Sequence, residues 1–103
     1  MSPAPLEQEA AFAFEQISVT DSAQRLSLDN VLAVPKPKKV VMFLEGAPIR
    51  YRVDGTAPDS STGAILTPYS ILTLRNANDM FNFRAIRDGT TNGTLNVHYY
   101  RNK

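Results

Sequence analysis

Lys39-Val40-Val41-Met42-Phe43-Leu44-Glu45 is the stretch on which the fold turns. Its β-branched and aromatic residues fit a pleated, packed surface and point to a β-strand. Successive side chains of a strand face opposite ways. Val40, Met42 and Leu44 therefore share one face, and Val41 and Phe43 share the other. A strand that is apolar on both faces is covered on both faces. One cover is the domain's own core. The other must be a further segment of this chain or a second subunit.

Downstream, Gly46-Ala47-Pro48 breaks the strand, and Ile49-Arg50-Tyr51-Arg52-Val53 follows in strict alternation. Ile49, Tyr51 and Val53 point inward there, and Arg50 and Arg52 point outward. Asp54-Gly55-Thr56 opens a turn-rich loop that runs through Pro58 to Gly63. Ala64-Ile65-Leu66 is a short apolar run, broken by Thr67-Pro68-Tyr69-Ser70. Ile71 to Arg75 resumes, with Leu72 and Leu74 on one side. Asn76 to Asp79 reads as a turn. Met80 to Ile86 reads as a strand in which Phe81, Phe83 and Ala85 oppose Asn82 and Arg84. Asp88-Gly89 and Asn92-Gly93 are strong hairpin signals. The last strand, Thr94 to Tyr100, turns Leu95, Val97 and Tyr99 inward.

Upstream, Pro35-Lys36-Pro37-Lys38-Lys39 is an extended break. Leu26, Leu28 and Val31 read as a half-exposed strand or loop, and Thr20-Asp21-Ser22 as a turn. From Phe12 to Val19 the period is two, but the apolar side switches between Phe14 and Ile17, which calls for a bulge or bend. Pro3 and Pro5 keep residues 1–11 from regular structure, so these read as an arm, free or laid on a partner. Residues 12–103 then form one domain. Short strands with turn signals about every 8–12 residues mark an all-β fold, a small antiparallel sandwich or barrel of six to eight strands with an extended N-terminal arm.

Size and charge narrow the function. A chain of 103 residues holds one core and buries only about 65% of the surface its unfolded form exposes. With no cysteine, neither disulfides nor a thiolate metal site supports it. Association with further subunits is a remaining source of stability, so a homo-oligomer is expected. Lys and Arg total 11 against 10 Asp and Glu, too even a balance for a nucleic-acid binder. No apolar run approaches the roughly 18 residues that cross a bilayer, and Met1 to Pro5 resembles no signal peptide. Nucleic acid and membrane are therefore not expected partners.

Candidate chemistry is sparse. His98 stands on the outward side of the last strand with no nucleophile or orienting carboxylate in any motif around it, and reads as a surface or interface residue. The repeated Asp54-Gly55-Thr56 and Asp88-Gly89-Thr90 could, with Asp59 or Asp79, offer calcium its oxygen ligands, but the spacing of a calcium loop is missing. Turn chemistry explains both tripeptides. Arg50, Arg52, Arg84 and Arg87 could gather on one face to take an anion. Outward arginines more often pair with carboxylates and contact neighbouring subunits. Lys36, Lys38 and Lys39 read as a solvated loop. Tyr51, Tyr69, Tyr99 and Tyr100 could stack on sugars, although Tyr51 and Tyr99 fall on inward positions. There is no phosphate loop, paired-carboxylate spacing or nucleophile elbow. No enzyme, catalytic residue, metal or cofactor is expected.

Ala47-Pro48-Ile49-Arg50-Tyr51-Arg52-Val53-Asp54-Gly55-Thr56-Ala57-Pro58 with Gly63, then Leu72-Thr73-Leu74, Asn82-Phe83-Arg84-Ala85-Ile86-Arg87 and the closing Thr94-Leu95-Asn96-Val97-His98-Tyr99-Tyr100, resembles small virion proteins of tailed phages and prophages. The resemblance covers about residues 12–101. It implies a structural protein of the particle, made in the host cytoplasm, with no cofactor. The leading expectation is a capsid decoration (cement) protein that bridges major capsid subunits. The alternatives are a neck or tail accessory protein and a carbohydrate-binding module of a fibre or spike. The residues expected at the protein interface are the arm, Phe12, Phe14, Arg50 and Arg52.

Overall fold

A computed structural model describes residues 8–102. In chain order the elements are β1 (Glu9–Val19), α1 (Leu28–Val31), β2 (Lys39–Glu45), β3 (Ile49–Arg52), β4 (Ala64–Leu66), β5 (Ile71–Leu74), α2 (Ala77–Asn82), β6 (Arg84–Arg87) and β7 (Gly93–Asn102). The strands form two antiparallel sheets that share one core. One is four-stranded in the order β1-β7-β2-β5, and the other is three-stranded in the order β4-β3-β6. This is the all-β, sandwich-like architecture expected from the alternating strands.

Register explains the core. In the four-stranded sheet Ile17, Leu95 and Leu44 share one inner row. Val97, Met42 and Leu72 share the next, and Tyr99, Val40 and Leu74 the one after. Val40, Met42, Leu44, Leu95, Val97 and Tyr99 are fully buried. The smaller sheet answers with Ile49, Leu66 and Ala85, and Leu26, Val31, Met80 and Phe83 from outside the strands join the same core. Burying a large apolar side chain contributes roughly 1.5–3 kcal/mol. The inner face of β2 alone therefore holds this strand in the sheet whatever becomes of its outer face.

Four local features depart from the expectation. The first strand begins at Glu9, so Glu9 to Ala11 pair with Asn102 to Tyr100 and do not belong to an arm. Of the rest of the expected arm, Gln8 is exposed and outside any strand, and residues 1–7 lie outside the described residues. The irregularity in β1 falls between Ala11 and Ala13, not between Phe14 and Ile17. Phe12 is the extra residue of a bulge, so Phe12 and Ala13 both turn to the core while Phe14 turns out. The segment around Leu28 is a short helix. Lastly, the strand expected over Met80 to Ile86 starts only at Arg84, because Ala77–Asn82 is helical. Asn76 caps that helix by accepting a hydrogen bond from the Asp79 amide at 2.8 Å.

Two glycines join the sheets. Gly46 has φ of +94°, which a side chain rarely adopts, and turns the chain from β2 towards β3. Gly93 starts β7, where a Cβ would stand 2.7 Å from the Ala47 carbonyl oxygen and 2.9 Å from Ile49 Cγ2.

Candidate interaction surface

The face of the four-stranded sheet turned away from the core is built by the same registers. One row runs Phe14, His98, Val41, Thr73, and the next runs Gln16, Asn96, Phe43, Ile71. Strand alternation puts these side chains outward because Val40, Met42, Val97 and Ile17 point in. Ile71 is 65% exposed, Phe14 53% and Phe43 36%. Among the described residues no segment covers them. Exposed apolar side chains scattered singly are ordinary, whereas a contiguous apolar patch marks an interaction site.

Tyr69 extends the patch. It is 77% exposed, and its ring lies 6.3 Å from that of Phe43. Thr67-Pro68-Tyr69-Ser70 forms a turn closed by Ser70 N–H to the Thr67 carbonyl at 3.2 Å, with the Tyr69 amide donating to the Leu44 carbonyl at 2.6 Å. Tyr69 has φ of +68°, the left-handed region where glycine is the default. A bulky aromatic side chain in that position is costly.

Polar groups on this face satisfy one another. Gln16 Nε2 donates to Asn96 Oδ1 at 2.7 Å, and Asn96 Nδ2 donates to Glu45 Oε1 at 3.0 Å. Lys39 pairs with Glu9 at 3.3 Å and lies over the Tyr100 ring at 5.0 Å. His98 packs against Phe14 with ring centroids 4.7 Å apart and faces Tyr100 at 6.5 Å. The face thus offers aromatic and aliphatic area, with Lys39 paired to Glu9 and Glu45 hydrogen-bonded to Asn96. Such a surface suits a protein partner whose contact is mainly apolar.

The expected interface residues do not come together. Phe14 lies on the open face. Phe12 leans on the core beside Tyr99, with the Arg101 guanidinium 4.4 Å above its ring. Arg50 and Arg52 stand on the other sheet, and each is engaged. Arg50 Nε donates to Asp88 Oδ1 at 2.7 Å and its Nη1 to the Gly63 carbonyl at 3.1 Å. Arg52 forms a two-point pair with Asp54. That hydrogen bond holds the Asp54 carboxyl below its ordinary range and raises the Arg52 guanidinium above its own. Arg84 sits opposite Arg52 and donates to the Phe81 and Phe83 carbonyls. Burial, then the nearby Arg25, pushes its guanidinium down. Arg87 pairs in register with Ile49, on the opposite face from Arg50, and donates to Asn92. The four arginines therefore form no common anion site.

The acidic turns are likewise occupied. Asp59 accepts from the Ser61 amide at 2.9 Å and the Ser61 hydroxyl at 3.1 Å, which lowers its pKa. Asp54 is taken by Arg52 and the Thr56 amide. Among the described residues no three His, Cys, Asp or Glu side chains gather as metal ligands would, and no helix is long and apolar enough to cross a membrane. No family model, curated protein or solved structure matches this chain.

One carboxylate faces inward. Glu15 shares an inner row with Val97 and Met42, accepts a hydrogen bond from the buried Tyr99 hydroxyl, and accepts a second from the Ser27 amide at 3.1 Å. Burial, and then Glu15, raises the Tyr99 phenol well above its ordinary value. This pair ties the segment before α1 to the rim of the sheet.

Proposed function

We propose that the chain is a non-enzymatic structural protein of a tailed-phage particle, a capsid decoration protein that docks on the major capsid protein through the open face of the four-stranded sheet. The observation that carries this reading is the pair of adjacent outer rows that hold Phe14 and Val41 in one and Phe43 and Ile71 in the other, with Tyr69 beside Phe43. These side chains are apolar, partly or largely exposed and uncovered among the described residues. The resemblance of the chain to small virion proteins supplies the kind of partner. The mechanism needs no chemistry. Interface area that exists only in the assembled shell stabilises the shell by mass action.

Co-sedimentation of the purified chain with undecorated heads tests the reading. The double variant Phe43→Ser/Ile71→Ser leaves the inner face intact and should stay folded. We expect it to bind at least tenfold more weakly, a loss of about 1.4 kcal/mol. Wild-type binding by this variant would remove the open face from the docking site. A neck or tail accessory protein would use the same face and differ in copy number. A sugar-binding reading draws on Tyr69 beside Phe43 and predicts glycan binding that Tyr69→Ala abolishes.

A further inference from the structure

A second feature does not rest on the capsid reading and lies at the edge of the same sheet, where Phe14 and Gln16 border the open face. The sheets present four edge strands. Three are short or occupied. β4 has 3 residues and β5 has 4, and β6 is bridged by Gln24, whose amide and carbonyl bond those of Ala85. The fourth is β1, with 11 residues. Its backbone hydrogen-bonds only β7 among the described residues. Natural edge strands are blunted by lysine, proline, inward-pointing charge or bulges, because an open row of amides and carbonyls recruits another strand. Glu9 to Val19 contains no lysine, arginine or proline. Its inward charge, Glu15, is held by Tyr99 and Ser27. Its bulge lies at Phe12 and leaves everything beyond it regular.

We infer that β1 pairs with β1 of a second copy of this chain, antiparallel about a two-fold axis, joining two four-stranded sheets into one. The bulge and the strand end confine the regular run to Ala13 through Val19, whose midpoint is Gln16. The register that uses the whole run sets Gln16 against Gln16, Phe14 against Ser18, Glu15 against Ile17 and Ala13 against Val19. Each pair is compatible. A large ring meets a small hydroxyl, no like charges oppose, and two amides can exchange hydrogen bonds. Inner residues stay opposite inner residues, so both cores continue across the seam. A two-fold contact also consumes both edges, which closes the assembly instead of propagating it. The second copy is thus the occupant that the strand's own sequence fits.

Sedimentation equilibrium over a concentration series tests this. Gln16 is exposed, so Gln16→Lys and Gln16→Glu should each fold with an unchanged melting temperature at low protein concentration. The wild type should dimerise. Each variant alone should remain monomeric where the wild type is dimeric, because like charges meet at the axis. An equimolar mixture of the two variants should recover the dimer. A monomeric wild type, a variant that dimerises alone as the wild type does, or a mixture that stays monomeric would each overturn the inference. Dimerisation by the Phe43→Ser/Ile71→Ser variant is expected to be normal, which separates this seam from the capsid-docking face.

Discussion

Tyr69 is the residue at which local conformation and surface function meet. Its left-handed backbone costs an L-residue on the order of 1–2 kcal/mol, and glycine would relieve that at an entropic cost of roughly 0.5–1 kcal/mol. Tyr69→Gly should therefore leave the unfolding free energy unchanged to within about 1 kcal/mol. The same substitution removes the most exposed ring on the open face and should weaken binding to heads. Urea titration and co-sedimentation check the two halves. A large loss of stability with intact binding would make Tyr69 a structural residue only. Tyr99 has the opposite character, being buried with its hydroxyl on Glu15. Its phenol ionises less readily in the folded chain than in the unfolded one. The stabilisation it contributes is thus complete below the unfolded value, about pH 10, and is lost as pH rises beyond it. Urea midpoints measured from neutral pH to above pH 10 should fall more steeply for the wild type than for Tyr99→Phe.

At the scale of elements, the contacts between sheets decide what can be changed. Gly93 lies where β7 passes under Ala47, and a methyl group there has no room against the Ala47 carbonyl, Ile49 or Leu44. Gly93→Ala should cost roughly 1–3 kcal/mol as overpacking, seen as a lower urea midpoint with an unchanged slope. The elements that could be read from sequence are those whose alternation is long and unbroken. Lys39 to Glu45 and the run ending at Tyr100 are both interior strands, so burial keeps their pattern strict. The strand expected at Met80 was a coincidence of spacing. Phe81, Phe83 and Ala85 stand two apart, yet Phe81 ends up half-exposed on a helix of only 6 residues, too short to show a 3.6-residue period. The bulge was signalled by the switch in apolar side within β1, but its position depends on pairing with β7. Of the open face, Val41 and Phe43 were legible as a second apolar side of β2. Ile71 and Tyr69 were not, because only the register of β5 and the turn before it bring them to that side. Arg50 and Arg52 read as outward arginines, and they are. Their carboxylate partners, Asp88 and Asp54, sit in loops whose reach a pattern of alternation does not convey.

At the scale of the molecule, the two proposed contacts fall on separate parts of the larger sheet. The inner faces of both sheets close one core, and Val40, Met42 and Leu44 commit β2 to it. The proposed docking site is the outer face of the larger sheet, and the inferred dimer seam is the β1 edge. A decoration protein that covers a head meets an equivalent docking position on each repeat of the shell, whereas a neck or tail component meets one ring. Quantitative mass spectrometry of purified particles from the strain that encodes the chain, with the major capsid protein as internal standard, separates these directly. A decoration protein should be present at a copy number of the same order as that of the major capsid protein. A copy number equal to that of a single ring, or absence from the particle, would contradict that assignment.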